Sequence, residues 1–361
     1  MSDNLRRYRA IREALTQWYP GPVSGRMAQH LTTLAAFISG IVGSQSSQLP
    51  KIATQIPDRA KPESRVKRLS RWLDNEQINE GLYFLPYAEM LLHQLALETV
   101  VLVMDGSIVG RGCCALMIHV VYKGRALPLA WQVRQGPKGH FPEFFHIYLI
   151  ELVKDLIPEG VQVVFLGDGE FDGVELQKTM NEAGWFYACR TAKNTIVTWQ
   201  EQTFTLDLLG DSLKPGNLIE LQDVKFTRNA YGPVMVLCCW AKGYIEPLYL
   251  VSNLSSVEEA VKYYQKRFRI ETFFSDQTSR GFHIQKSHIE DPNRLSRLLI
   301  GSCLAYIWIV YLGTLCKRDG WQHIIHCRAR CDLSLFRLGL QLLEYFLNEG
   351  LWLPVQFHIR A

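Results

Sequence analysis

The sequence lacks several features that mark common protein classes. It has no glycine-rich phosphate-binding loop of the P-loop type, which argues against nucleotide hydrolysis. It also has no internal repeat and no low-complexity tract, so a repeat architecture is not expected. Hydrophobic residues make up 48% of the 361 residues, which allows a large core and argues against disorder. The length suggests about two domains.

An apolar secretion signal is also missing. Met1 to Asn4 lead into an arginine-rich, mixed stretch. The nine cysteines are odd in number, and two pairs of them are adjacent, Cys113–Cys114 and Cys238–Cys239. These observations favour reduced thiols over a disulfide framework, and we expect a cytoplasmic protein.

Charge is unevenly distributed, although the net charge is only +4. The segment from Arg59 to Arg71 holds six basic residues, and the only acidic residues in it or directly before it are Glu63 and Asp58. These are Arg59, Lys61, Arg65, Lys67, Arg68 and Arg71. The segment Lys266 to Arg297 is basic as well. Clustered lysine and arginine are typical of a phosphate-binding surface, but a solvated helix face has the same pattern.

One segment, Leu298 to Cys316, has no charged residue and approaches the length of a membrane span. Arg297 precedes it, Lys317 follows it, and it directly follows a polar, charged region. We expect a buried core helix and no membrane, with a membrane span as the alternative.

The first hundred residues have helix-period apolar patterns, whereas the next hundred have short apolar runs typical of buried strands. The predicted helices of the first part are Arg26–Gly43, Glu63–Leu73 and Leu82–Leu97. The elements predicted to follow are strands Thr99–Met104, Cys113–Val121 and Ala126–Val133, helix Glu143–Lys154, strand Val161–Leu166, helix Gly173–Ala183 and strand Trp185–Cys189. This order predicts a mixed α/β sheet, antiparallel first and parallel later.

A turn-rich, β-rich region from Thr195 to Leu254 follows. Ser256 to Glu259 then form a capping box that predicts the start of a long helix.

Two predicted strands are followed directly by an aspartate and a glycine: Asp105 after the first strand and Asp168 after the fourth. An acid at the carboxyl end of a strand points into a crevice where ligands commonly bind. Two carboxylates there suggest a compensating cation, and oxygen ligands favour Mg²⁺ or Mn²⁺. The alternative is that each aspartate merely begins a turn.

A third acid lies on the predicted long helix. Tyr264, Arg267 and Glu271 are three and four residues apart and would share one helix face. Arg267 and Glu271 could instead form a surface ion pair, or the nearby acids Glu170 and Asp172 could take the role of Glu271.

Asp105, Asp168 and Glu271 resemble the DDE triad of bacterial insertion-sequence transposases. The spacing of Tyr264, Arg267 and Glu271 is similar to the Tyr-Arg-Glu-Lys signature of one large branch of that family, which also carries a β-rich insertion before its glutamate. The resemblance extends from Ser64 to Arg297. The signature lysine is replaced by Thr278, and Arg280 or Lys286 are candidates to substitute for it.

The resemblance implies a fold, namely a ribonuclease-H-like mixed sheet with flanking helices, a β-rich insertion before the last catalytic helix and a helical N-terminal region. The implied divisions are a DNA-end-binding region at 1–97, a catalytic core at 98–193 and 246–316, an insertion at 194–245 and a helical C-terminal region at 317–361.

It also implies metal-dependent cleavage and joining of DNA. Asp105, Asp168 and Glu271 would hold two Mg²⁺ or Mn²⁺ ions, while Tyr264 and Arg267 would hold DNA at the scissile phosphate. The basic residues Arg65, Lys67, Arg68 and Arg71 would bind double-stranded transposon ends, and the protein would act on DNA as a homodimer in the nucleoid. The alternatives are a nuclease of the same fold that does not join DNA, or a DNA-binding protein that has lost catalysis.

Overall fold

The computed structural model describes residues 2–137, 139, 141–326 and 331–359. Six helices precede the first strand. They are α1 (Asp3–Trp18), α2 (Gly25–Ser44), α3 (Leu49–Thr54), α4 (Pro62–Asp74), α5 (Glu80–Tyr83) and α6 (Leu85–Leu95). Helices α2 and α4 each extend one residue beyond both predicted ends. The single helix predicted from Leu82 is two helices, and Pro86 lies in the first turn of the second, where proline is tolerated.

A ten-stranded mixed sheet forms the centre of the molecule, with the strand order β3-β2-β1-β4-β5-β10-β9-β8-β6-β7. Its strands and the helices between them, in chain order, are β1 (Thr99–Gly110), β2 (Cys113–Tyr122), β3 (Arg125–Gln135), α7 (Glu143–Lys154), β4 (Gln162–Gly167), α8 (Val174–Glu182), β5 (Phe186–Arg190), β6 (Ile196–Trp199), β7 (Gln202–Thr205), α9 (Asp207–Asp211), β8 (Leu218–Phe226), β9 (Tyr231–Cys239) and β10 (Leu248–Ser252). Strands β1 to β3 pair antiparallel, and β1, β4 and β5 pair parallel. The predicted change of direction within a mixed α/β sheet is thus observed.

The turn-rich region after β5 continues the same sheet. Strand β9 pairs with β10, and β10 pairs antiparallel with β5. The strands β6 to β9 therefore extend the sheet sideways from the edge that β5 would otherwise leave open.

The region predicted as one long helix consists of α10 (Val257–Tyr264) and α11 (Arg269–Gln277). Ser256 caps α10 as expected, since its hydroxyl accepts a hydrogen bond from the Glu259 amide at 3.3 Å. Between the helices the backbone hydrogen bonds join residues three apart. The Lys266 amide donates to the Tyr263 carbonyl at 2.8 Å, and the Arg267 amide donates to the Tyr264 carbonyl at 2.9 Å. This 3₁₀-type turn breaks the expected continuous helix face.

The uncharged segment lies within α12 (Pro292–Arg318), which is followed by α13 (Gln322–Ile325) and α14 (Leu335–Asn348). Helix α12 is long and apolar enough to cross a membrane, but 94% of its most apolar stretch is buried inside the protein. Helix α14 packs against it at a close backbone approach: a Cβ at Gly339 would lie 1.9 Å from the carbonyl oxygen of Ile309. The segment is thus the core helix that the sequence predicts.

A buried ion pair ties α11 to the sheet. Arg125, at the start of β3, donates to Asp276 near the end of α11 at 2.7 Å, and both side chains are at most one-tenth exposed. Burial raises the pKa of Asp276 to about 6, although the charges of Arg125, Arg280 and Arg337 act in the opposite direction. The pair fixes the position of α11 at a desolvation cost.

We expect Asp276→Ala to lower the free energy of unfolding by about 3–5 kcal/mol, because it leaves the Arg125 guanidinium buried without its carboxylate. The double variant Arg125→Met/Asp276→Leu should lose less than this single variant, since it removes both charges. Urea denaturation of the wild type, both single variants and the double variant measures the coupling. Additive losses would show that the two side chains do not stabilise each other.

Candidate active site

The register of β1 and β4 aligns Asp105 with Asp168. The five paired residues run from Thr99–Gln162 to Val103–Leu166, each pair offset by 63 residues, and Asp105 and Asp168 have the same offset. Neighbouring strands lie about 4.8 Å apart, and level residues of parallel strands point to the same face. The two carboxylates are therefore expected side by side where the parallel pairing ends.

The surroundings of Asp105 differ from the prediction in one respect. The prediction that β1 ends at Met104 is wrong, because the strand continues to Gly110 by pairing with β2, and Asp105 lies opposite Met117. Asp105 is half-buried, and one of its carboxylate oxygens accepts from the Gly106 amide at 2.7 Å. The acid marks the end of the pairing with β4 and not the end of the strand.

Asp168 begins a turn directly after β4. Its Oδ1 accepts from the Glu170 amide at 3.0 Å, and its backbone carbonyl accepts from the Phe171 amide at 3.0 Å. The turn interpretation of this aspartate is therefore correct, and the turn begins two residues after the last β1–β4 pair, Val103–Leu166.

The neighbouring acids Glu170 and Asp172 have other surroundings. Glu170 accepts from the Phe141 amide at 2.5 Å and lies 3.3 Å from Nε2 of His146, so it joins the turn to α7. Burial raises the pKa of Asp172; a hydrogen bond from Thr191 lowers it, and the charges of Glu143 and Asp168 raise it further. Both acids therefore have contacts of their own within the loop.

Tyr264, Arg267 and Glu271 lie at the junction of α10 and α11. Tyr264 is buried, and its pKa is raised by that burial, lowered by the charges of Arg267 and Arg190, and raised by Asp168. Arg267 is buried too, with its guanidinium 4.4 Å from the ring centre of Phe268 and 3.7 Å from Glu271. Among the described residues, the Nε of Arg267 has no hydrogen-bond partner. An unpaired buried donor is unusual.

Glu271 itself is 60% exposed, and the ion pair to Arg267 considered from the sequence is present at the long distance of 3.7 Å. Among the described residues, no three His, Cys, Asp or Glu side chains lie close enough together to form a ready metal site. The register of β1 and β4 thus leads us to expect Asp105 and Asp168 at one level of the sheet, while Glu271 contacts Arg267.

The basic residues of α4 fall into two groups. Arg65 and Arg68 both bind Asp58, at 2.8 and 2.6 Å. Partial burial would raise the pKa of Asp58, but the hydrogen bonds from Arg68 and Ala60 outweigh it and hold that pKa below its usual value. Lys67 and Arg71 are exposed, four residues apart on the helix, and make no ion pair with any residue that the structure describes. Lys67 and Arg71 are therefore the better candidates for contact with an anionic ligand.

Thr278 does not continue the helix face. Helix α11 ends at Gln277, and the Thr278 hydroxyl donates to the Phe274 carbonyl at 2.7 Å. Arg280 is exposed beyond this end, and Lys286 is exposed in a short 3₁₀ helix, Ile284–Lys286. Position 278 therefore lies just beyond the end of α11, with its hydroxyl bonded back to that helix.

Sequence reasoning missed a second cationic group. Arg190 ends β5, and Lys193 follows it in the loop. Together with Asp168 both line a groove of about 490 Å³ at the carboxyl ends of β4 and β5. The sequence feature that could have identified these cations is the one used for the aspartates. A charged residue directly after a buried parallel strand projects into this crevice.

Comparison with known proteins identifies the domain. No curated protein sequence matches the chain. Among solved structures, a piggyBac transposase synaptic complex with hairpin DNA is 12% identical, with 98% of this chain and 83% of that chain covered and a TM-score of 0.47. Human ENDOV is 13% identical, with 62% and 85% covered and a TM-score of 0.24. Both likenesses are too weak to bear on function.

The family match is much more extensive. The transposase DDE domain family matches residues 87–308, from α6 to the middle of α12. This range includes Asp105, Asp168, Tyr264, Arg267 and Glu271, and it covers more than half of the chain. The chain therefore belongs to the transposase DDE domain family.

Proposed function

We propose that this protein is a DNA transposase that cuts the ends of an insertion sequence and joins them to target DNA with the help of divalent metal ions. The observation that carries the proposal is the β1–β4 register, which would bring Asp105 and Asp168 to the same level where the pairing ends, within a transposase DDE domain. Two aligned carboxylates at a sheet edge suit metal-dependent phosphodiester chemistry.

The carboxylate oxygens of Asp105 and Asp168 fit a hard cation, and transposases of this family generally use divalent metal ions. Glu271 would be the third ligand, and in the described part of the chain its exposed side chain has only the 3.7 Å contact with Arg267 to give up. We propose two Mg²⁺ or Mn²⁺ ions, which when bound would activate the attacking oxygen and stabilise the leaving one.

The cations around the carboxylates suit the grip on DNA. The Nε of Arg267 has no hydrogen-bond partner among the described residues, and a bound DNA phosphate would accept a hydrogen bond from it. This contact would draw the guanidinium away from Glu271. The same movement would free Glu271 for the metal. Tyr264 is near enough to Arg267 for that charge to lower its pKa, and the two side chains would hold the scissile phosphate together. Arg190 and Lys193 would hold phosphates farther along the groove.

The fold suits the same proposal. We propose that the strands β3-β2-β1-β4-β5 with α10 to α12 form a ribonuclease-H-like core, at 98–193 and 246–316. Residues 194–245 would be an insertion that widens the DNA-facing edge. The N-terminal region at 1–97 would bind transposon ends, with the helical region at 317–361 appended.

The partners follow from the activity. The substrates would be double-stranded terminal inverted repeats and target DNA, bound by a homodimer in the nucleoid of the cytoplasm. Arg280 and Lys286 would be further phosphate contacts near the cut end, in place of the cation that Thr278 does not provide.

Two other functions remain to be separated from this one. A nuclease of the same fold would cleave the transposon ends but would not join them to a target plasmid. A protein that has lost catalysis would bind the ends and leave them uncut. One assay with labelled ends, Mg²⁺ and a supercoiled target separates all three.

Asp105→Asn should reduce cleavage of transposon-end DNA by at least about 1,000-fold, because it removes an anionic ligand. End binding should stay within about twofold, since no phosphate contact is lost. The matched control is Asp155→Asn, which changes an exposed aspartate at the end of α7. Cleavage by Asp105→Asn at the wild-type rate would remove Asp105 from the site.

Lys67→Ala/Arg71→Ala should lower the slope of log affinity against log salt by about 2, because each phosphate contact contributes about 0.9. Arg65→Ala/Arg68→Ala is the matched control. It should lower thermal stability through the loss of the Asp58 contacts and should change the slope less. Binding of end DNA at four or more salt concentrations gives both slopes. An effect confined to the control pair would place the DNA contact on the Asp58 side of the helix.

A further inference from the structure

Two aromatic side chains on the outer face of α7 are unusually exposed. Phe144 is 60% exposed and Tyr148 is 49% exposed. They are four residues apart and so lie above one another on the helix surface. The opposite face of α7, with His146, Leu149 and Ile150, is buried in the protein. The exposed pair is therefore not required to fill the core beneath this helix.

The aromatic surface continues inward to the candidate active site. The ring centres of Phe144 and Phe145 are 4.1 Å apart, and those of Phe145 and Phe141 are 6.3 Å apart. The ring of Phe141 covers Gly106, where a Cβ would lie 3.0 Å from Phe141 Cε2. Gly106 is the residue directly after Asp105. A row of rings thus runs from the backbone beside Asp105 out to Tyr148.

A cation lies along the same row. The guanidinium of Arg134 is 5.6 Å from the ring centre of Phe141 and 5.7 Å from that of Phe145. Arg134 is exposed, and no carboxylate among the described residues forms an ion pair with it. Its guanidinium contacts these two rings by cation–π interactions, and its positive charge can still pair with an anion.

The inner end of the row is anchored. The Phe141 amide donates to Glu170, which belongs to the turn that carries Asp168. His146, on the buried side of α7, lies 3.3 Å from the same carboxylate of Glu170. Both ends of the connection between α7 and the Asp168 turn are therefore fixed, so the row has a defined position relative to the two aspartates.

We propose that this row binds unpaired nucleotides next to the scissile phosphodiester, with bases stacking on Phe144 and Tyr148 and Arg134 pairing with a phosphate. The inference rests on the proposed function. Exposed aromatic rings interleaved with a cation are the arrangement that holds single-stranded DNA without sequence preference. Continuity with Asp105 and the charge of Arg134 favour a nucleic acid over an apolar protein partner, because a phosphate backbone supplies the negative charge that an apolar surface lacks.

The test uses the full-length protein and transposon-end DNA with 2-aminopurine in the three nucleotides that flank the cleavage site, in Ca²⁺ so that binding is measured without cutting. One substrate has the flank unpaired, and the other has it paired. The wild type should prefer the unpaired flank and quench its 2-aminopurine fluorescence by stacking.

Phe144→Leu/Tyr148→Leu keeps apolar bulk and removes the aromatic faces. It should weaken binding of the unpaired flank by about tenfold or more, abolish the quenching, and leave the paired substrate unchanged. Phe144→Trp/Tyr148→Phe should retain both signals. The control Glu151→Ala/Lys154→Ala removes an exposed ion pair of 3.2 Å on the same helix and should behave as the wild type. All four changed positions are on the surface, and thermal melting checks that each variant is folded.

Equal quenching by the wild type and the leucine variant would overturn the inference. So would a change in oligomeric mass of that variant without DNA, with quenching intact, because the row would then be a contact between protein copies. Cleavage in Mg²⁺ with the same DNA distinguishes the two proposals. If the wild type cuts the ends but shows no quenching that depends on the aromatic side chains, the proposed function stands and this inference is wrong. A wild type that binds no DNA loses both.

Discussion

Five backbone pairs between β1 and β4, ending at Val103–Leu166, determine where the two aspartates lie. A slip of one residue in that register would turn one carboxylate to the opposite face of the sheet. Pairing with β2 holds β1 from the other side as far as Gly110. We therefore expect the register of the central sheet to set the level at which Asp105 and Asp168 lie.

The third acid is positioned by packing on the same sheet. Helix α11 lies on β1, β2 and β3, and the buried contact between Arg125 and Asp276 fixes its far end. The Glu271 side chain at its near end is exposed and lies 3.7 Å from Arg267. A fixed helix with an exposed carboxylate suits the proposal that Glu271 joins the metal when DNA displaces Arg267, and it agrees with the absence of a three-acid cluster among the described residues.

Local patterns in the sequence were sufficient for most of the fold. Apolar runs and helical periodicity predicted α2, α4, α7 and the strands β1 to β5, because burial of one face imposes those periods. Tertiary pairing accounts for the differences. The Asp-Gly pair at 105–106 has the composition of a turn, but hydrogen bonds to β2 extend the strand through it. The break at 265–268 has no proline or glycine and could not be read from local sequence.

Residues that follow a strand are easier to propose as site residues from the sequence than residues whose partner is distant. Asp58 pairs with both Arg65 and Arg68 from outside α4 and offsets one of their two charges, so composition overstated the free charge of that helix. The most direct test of the account is the anomalous diffraction of manganese in crystals of the protein with transposon-end DNA. We expect manganese bound between Asp105 and Asp168, with Glu271 as a ligand and Arg267 in contact with a DNA phosphate. Manganese bound elsewhere, with Glu271 still against Arg267, would contradict it.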